Sequence, residues 1–319
     1  MKKLSILLFL FSIQACGDSG STSGGNKTTN NTTQTSATNN GVVIDPAAAD
    51  EKLFQEGLAA YDTKDCSSAV PKFNKLLTDT PDSIRADNAQ YLLGRCLYRD
   101  LKFEETIVAM QKLLDTYPTT GLNDAAHYFI GRSNFRLAKF DKALVSFATA
   151  ISADDNGTFI DNAQYYFGRT HYELGDLTSA EAELLKVGIT YPDSSYVDNA
   201  DYYLGRTYFS MKNYPKAIAS FDRVLTTTMS IYLDNATYWK GRSMYAVKDL
   251  PGALTVLQSV KTIFPLSSYV DNSLYYITRI YVDQNDCANA STTIGILLGD
   301  FAGSIYLGKA QTYAMGNGC

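Results

Sequence analysis

From Asp50 onward, small and apolar positions return on one beat. Glycines stand at Gly57, Gly94, Gly131, Gly168 and Gly205, each 37 residues after the last. Gly241 follows at 36, and Thr278 holds the place 37 later. Seven residues before each of these lies an aspartate: Asp50, Asp87, Asp124, Asp161, Asp198, Asp234 and Asp271. A repeat of this length is the signature of a solenoid. Within each unit the apolar spacing is helical. In "NYPKAIASFDRVL" (213–225), Tyr214, Ala217, Phe221 and Val224 fall at i, i+3, i+7 and i+10. In "DLTSAEAELLKV" (176–187), Leu177, Ala180, Leu184 and Val187 do the same. That pattern is one face of an α-helix. Each unit therefore reads as two helices, the first running from the aspartate past the glycine, the second following a short turn. Pro81, Pro118, Pro192 and Pro265 mark the break before the next first helix.

Ala200 and Gly205, with their equivalents, are small enough to let neighbouring helices approach closely. "TFID" (158–161) and the two "SYVD" stretches (195–198 and 268–271) place Ser or Thr three residues before the aspartate. This spacing predicts a capping box with Asp in place of Glu. The aspartate also falls in the first turn, where the helix dipole favours negative charge.

Gly168, Ala180, Leu184 and Pro192 together resemble the tetratricopeptide repeat. Phrases such as "YPDSSYVDNADYYLG" (191–205) lengthen the unit beyond that family's usual length of about 34. In this they are similar to a subgroup from bacterial envelope proteins. Its members include the Tol-Pal-associated coordinator and the BamD-like lipoproteins of outer-membrane barrel assembly. The resemblance covers roughly residues 50–319. It implies an all-α fold: an α-solenoid of about seven helix-turn-helix repeats over 47–319. "SIYLGKAQTYAMG" (304–316) aligns with "SIYLDNATYWKG" (230–241), with Gly308 and Lys309 replacing the Asp-Asn pair. It reads as a final lone helix capping the stack, as solenoids require.

The first residues stand outside this pattern. Lys2 and Lys3 precede a short apolar run, Leu4 to Ile13, too short to span a bilayer. It ends in "IQAC" (13–16), which resembles the bacterial lipobox. That resemblance implies a signal peptide over 1–15 and lipidation at Cys16. Residues 16–46 are dominated by Ser, Thr, Asn and Gly and read as a disordered tether. Such a tether spans roughly 30 Å. Gly17, by resemblance to sorted Gram-negative lipoproteins, favours the outer membrane, facing the periplasm. The chain holds 28 Lys and Arg against 33 Asp and Glu. Removing Lys2 and Lys3 takes the formal charge from −5 to −7. This balance gives no support to nucleic-acid binding.

Four cysteines remain in the body. Cys66 and Cys287 hold the same place near the start of a second helix, and Cys96 and Cys319 lie toward the far ends of the following first-type helices. Disulfides Cys66–Cys96 and Cys287–Cys319 are expected, locking the terminal repeats in an oxidising compartment; two pairs of buried thiols are the alternative. With no C-x-x-C and two histidines, His127 and His171, no metal or other cofactor is expected. No nucleophile elbow, P-loop or metal motif occurs, so no enzyme activity is expected.

One recurrent set is left after packing is assigned. Asn199, Tyr202, Arg206 and Phe209 share a face of the first helix. The stripe returns as Asn88, Tyr91, Arg95, Tyr98; as Asn162, Tyr165, Arg169, Tyr172; and as Asn235, Tyr238, Arg242, Tyr245. Variants are Ala125, Tyr128, Arg132, Phe135 and Asn272, Tyr275, Arg279, Val282. Six of the ten arginines occupy this one place. By resemblance to tetratricopeptide proteins, this face lines a groove for partner segments. There the arginines would hold carboxylates or carbonyls of an extended envelope protein or peptide. The same pattern fits glue between repeats, with Arg stacked on the neighbouring helix's Tyr. Both readings stand at this point. A glycan or peptidoglycan ligand stacked on the tyrosines is the alternative from another class.

Overall fold

The computed structural model describes residue pairs 38–39 and 42–43, residues 46–153 and residues 157–319. The signal segment, Cys16 and the tether apart from those two pairs and Pro46 lie outside the described residues. Within the tether span, β1 (Thr38–Asn39) pairs antiparallel with β2 (Val42–Val43). The body from Asp45 onward is a separate compact unit built of helices in pairs. They are α1 (Pro46–Asp62) with α2 (Cys66–Asp79), α3 (Ala86–Arg99) with α4 (Phe103–Thr116), and α5 (Asn123–Arg136) with α6 (Phe140–Ala153). Then come α7 (Ile160–Leu174) with α8 (Leu177–Thr190), α9 (Val197–Ser210) with α10 (Tyr214–Thr226), and α11 (Leu233–Ala246) with α12 (Leu250–Ile263). The last pair is α13 (Val270–Asp283) with α14 (Cys287–Asp300), and α15 (Ile305–Gly316) ends the stack alone.

Each helix packs on its chain neighbours, and each first helix also touches the first helix of the next unit. The result is the expected α-solenoid of seven repeats and a cap. Ala180, Leu184 and Val187 of α8, like Ala217, Phe221 and Val224 of α10, are fully buried. They face the first helix of their own pair, and there the recurrent glycine has a steric reason. A Cβ on Gly205 would meet the Phe221 ring at 2.5 Å. The turn between first and second helices is equally regular. One residue in each adopts a left-handed conformation, from Lys64 (φ 65°) to Asn285 (φ 59°), and in the fourth unit it is Gly175 (φ 81°).

The predicted capping box does not form. The first helices start one residue before the aspartate, so Asp198 is the second helical residue and Ser195 lies outside the cap position. The cap residues Tyr196, Tyr232 and Tyr269 make no side-chain cap hydrogen bond. The hydroxyl that serves this turn is one residue earlier. Ser194, Ser230 and Ser267 accept the backbone N–H of Tyr196, Tyr232 and Tyr269. The aspartate instead connects repeats. The hydroxyls of Thr120, Ser267 and Ser304 donate to Asp87, Asp234 and Asp271 of the preceding unit at 2.9, 2.6 and 2.6 Å. In the cap Gly308 stands at the aspartate's place, so α15 carries no such acceptor.

Cys66, the first residue of α2, is paired with Cys96 of α3, and Cys287, the first of α14, with Cys319 beyond α15. Their Cα atoms are 5.3 and 5.0 Å apart. Among the described residues no helix is long and apolar enough to cross a membrane.

Candidate interaction face on the first helices

The recurrent arginine sits on the middle one of three consecutive first helices. Its guanidinium lies between a ring from the helix before and a ring from the helix after. Arg132 of α5 is 5.0 Å from the Tyr98 ring of α3 and 4.4 Å from the Tyr166 ring of α7. Arg169 lies 4.8 Å from Phe135 and 4.7 Å from Tyr203. Arg206 lies 5.6 Å from Tyr172 and 4.1 Å from Trp239. Arg242 is 4.9 Å from both Phe209 and Tyr276. Arg279 is 5.1 Å from Tyr245 and 4.5 Å from Tyr313 of the cap. Arg95 opens the row at 5.3 Å from Tyr61 and 5.5 Å from Phe129. A guanidinium is planar and weakly hydrated, so it fits between rings where an ammonium does not. Each such contact contributes about 0.5–2 kcal/mol, more as water is excluded. The rings replace hydrogen bonds in part. The buried Nε atoms of Arg242 and Arg279 have no hydrogen-bond partner among the described residues.

The tyrosine four residues before each arginine has a different place. Tyr91, Tyr128, Tyr165, Tyr202 and Tyr238 are buried, and Tyr275 is half-buried. Four of the six are covered by the aromatic residue that caps the next first helix, and Tyr275 by Tyr306, the second residue of α15. Tyr202 stacks on Tyr232 at 4.2 Å and 8°. Tyr128 meets Phe159 at 4.9 Å, Tyr165 meets Tyr196 at 4.9 Å, Tyr238 meets Tyr269 at 4.7 Å and Tyr275 meets Tyr306 at 5.6 Å. The tyrosine hydroxyls accept from the arginines of their own helices: Arg132 donates to Tyr128 at 2.7 Å and Arg206 to Tyr202 at 2.9 Å. Tyr128, Tyr165, Tyr202 and Tyr238 therefore do not line an open groove, whereas Tyr275 lines an open pocket with Lys309, Thr312 and Tyr313.

The asparagines remain at the border. Asn162 donates to the Tyr128 hydroxyl of the unit before at 3.4 Å. Asn88 and Asn235 donate to the carboxylate of their own preceding aspartate. Asn199 is half-buried, with its Oδ1 unpaired among the described residues. Asn272 is half-buried as well. Arg169 lies 3.7 Å from Glu173, whereas Arg132, Arg206, Arg242 and Arg279 form no ion pair among the described residues. Half-buried asparagines and arginines thus lie beside a buried layer of rings.

The structure brings the predicted arginines together with Tyr98, Phe135, Tyr172, Phe209 and Tyr245, which already belonged to the stripe. It adds Phe129, Tyr166, Tyr203, Trp239, Tyr276 and Tyr313, which the sequence reading left out. Except for Tyr313 of the cap, each is the second of two adjacent aromatic residues, three residues before an arginine. This signal was overlooked because intrahelical spacing cannot show which helix an aromatic ring packs against. His127 and His171 are both half-buried; the His171 ring packs on Phe167 at 4.9 Å, and its Nδ1 lies 3.3 Å from Asp176.

Comparison with known proteins agrees with this architecture. The model of an outer membrane lipoprotein family, YfiO, matches residues 46–152. A tetratricopeptide repeat model matches residues 199–227. No curated protein sequence matches the chain. Among solved structures, the C-terminal part of a tetratricopeptide repeat protein from Cytophaga hutchinsonii superposes with a TM-score of 0.65 at 18% identity, covering 81% of this chain and 98% of that one. PilF of Pseudomonas aeruginosa gives 0.56 at 17%, covering 72% and 97%. PilW, a type IV pilus biogenesis factor, gives 0.58 at 16%, covering 72% and 100%. At such identities the likeness is one of fold. The chain is a tetratricopeptide-repeat solenoid. Within that fold, residues 46–152 are similar to the outer membrane lipoprotein family.

Burial has a consequence for pH. It raises the pKa of Tyr128, Tyr165, Tyr202, Tyr203 and Tyr238 above the ordinary 10.0, and burial plus a hydrogen bond to Glu181 pushes Tyr208 up to about 12. A raised folded-state pKa gives stability that is complete below pH 10 and is lost as pH climbs above it. Titration followed at 295 nm together with circular dichroism should show these tyrosines ionising only as helicity collapses, with unfolding beginning above pH 10. Ionisation of all 23 tyrosines with helicity intact would contradict the burial.

Proposed function

We propose that the chain is a non-catalytic scaffold of the bacterial envelope, held to the outer membrane by a lipid on Cys16. It binds extended, carboxylate-bearing segments of partner proteins along its first-helix face. The observation that carries this reading is the row of guanidinium groups held between rings of the flanking units. Rings on two sides hold each group in place, and its remaining N–H donors are pre-positioned for carboxylate or carbonyl oxygens. Pre-orientation lowers the entropy lost when a partner binds. A sugar ligand would need open tyrosine faces, and those rings are stacked on other rings. The outer membrane lipoprotein match supports an envelope location and a role in protein interaction. PilW offers a precedent for this fold in a biogenesis role.

A photo-crosslinking side chain in place of Asn199 or Asn235 tests the face in the native host. Mass spectrometry should identify a partner protein from these positions and not from Val108, exposed on second helix α4. The crosslink should weaken as salt rises, because the edge contacts are ionic. Crosslinks from Val108 alone, or capture indifferent to salt, would rule the reading out.

In the envelope both cysteine pairs are oxidised, each closing a loop of about 30 residues that strengthens an end of the stack by about 3–4 kcal/mol. Alkylation of the unreduced, denatured protein should leave Cys66, Cys96, Cys287 and Cys319 unmodified. Four alkylated thiols would contradict it.

A further inference from the structure

The loops that join each second helix to the next first helix lie along one edge of the solenoid, and they change character along the chain. By sequence the first of these loops carries Asp82 and Arg85, the third Asp154 and Asp155 and the fourth Asp193, whereas the second, at 117–122, and the last three, at 227–232, 264–269 and 301–304, contain no charged residue. The same three loops carry large apolar side chains in the open. Met229 is 89% exposed, Ile231 56%, Leu266 99%, and Ile305, the first residue of α15, 69%. Six of the remaining loop residues are Ser or Thr: Thr227, Thr228, Ser230, Ser267, Ser268 and Ser304.

The core does not use these side chains, and they recur at successive turns of one edge. Its form indicates the occupant. The apolar groups project singly from successive loop tips and are flanked by hydroxyls. A protein groove-filler would need one contiguous patch, whereas single tips can each enter the headgroup layer. Charge points the same way. The mature chain is acidic, with a formal charge of −7 by the arithmetic above, and an edge cleared of carboxylates can approach lipid without desolvating them. Reach is sufficient. Residues 17–45 separate Cys16 from Pro46, and at about 3.3–3.6 Å per residue they extend to roughly 100 Å.

We infer that the loop edge of repeats five to seven rests on the bilayer, with Met229, Ile231, Leu266 and Ile305 inserted among the headgroups. This second contact, which rests on the reading of Cys16 as a lipid anchor, orients the solenoid and lifts it out of free rotation on its tether. One acyl signal is commonly reinforced by a second attachment of this sort.

The test uses the mature full-length chain with Cys16→Ser, so that no lipid contributes, and phosphatidylcholine vesicles in a flotation assay. This chain should float with the vesicles, and high salt should not release it. Replacing Met229, Ile231, Leu266 and Ile305 together with Ser should lower the bound fraction roughly tenfold, with circular dichroism and thermal midpoint unchanged. Ile84→Ser, at an apolar loop position beside Asp82 and Arg85, should leave binding intact. No flotation of the Cys16→Ser chain, or equal flotation of the four-serine variant, would overturn the inference. So would a concentration-dependent dimer that the four substitutions abolish in place of lipid binding, since a second copy would then own the edge. Palmitate labelling of the wild-type chain and of Cys16→Ser reports the anchor separately, so either result can fail without the other.

Discussion

A guanidinium pressed between two aromatic rings is the contact on which the rest of this solenoid depends. Repeat proteins are usually coupled unit to neighbouring unit. Here each arginine belongs to one first helix and touches rings from the units on both sides, so the coupling reaches across three. Arg206 of α9 joins Tyr172 of α7 to Trp239 of α11, and Arg242 repeats the device one unit on. The lengthened loop serves the same end. It supplies Tyr196, Tyr232 and Tyr269, which cover the tyrosines of the preceding units, and Ser267, which donates to Asp234. The extra length of the unit is thus used for contacts between repeats.

Most of the fold was legible because it is written in short spacings. The glycine beat, the apolar face of Ala217, Phe221 and Val224, and the altered cap at Gly308 are each visible within a helix or between units. What escaped depended on where a helix begins. Placing the start one residue early changes Asp198 from a capping partner into the second helical residue, and its counterparts Asp234 and Asp271 into acceptors for the next repeat. The stripe was legible as a stripe, but its division was not. Spacing places Tyr202 and Arg206 on one face; only the neighbouring helices show that Tyr202 is covered by Tyr232 while Arg206 lies between Tyr172 and Trp239.

That division links stability to function. The rings that hold the arginines also restrict where their N–H groups point, so on the proposed reading the contact that stiffens the stack prepares the surface a partner would meet.

The central claim is that the arginine sandwich couples successive repeats, and a double-mutant cycle between Arg206 and Trp239 measures it. Arg206→Gln, Trp239→Leu and the double variant would be compared by urea unfolding. The account predicts a coupling energy of about 1–2 kcal/mol between two residues on different repeats. Losses that simply add, leaving a coupling near zero, would show that the rings and the guanidinium are neighbours without being partners, and would contradict it.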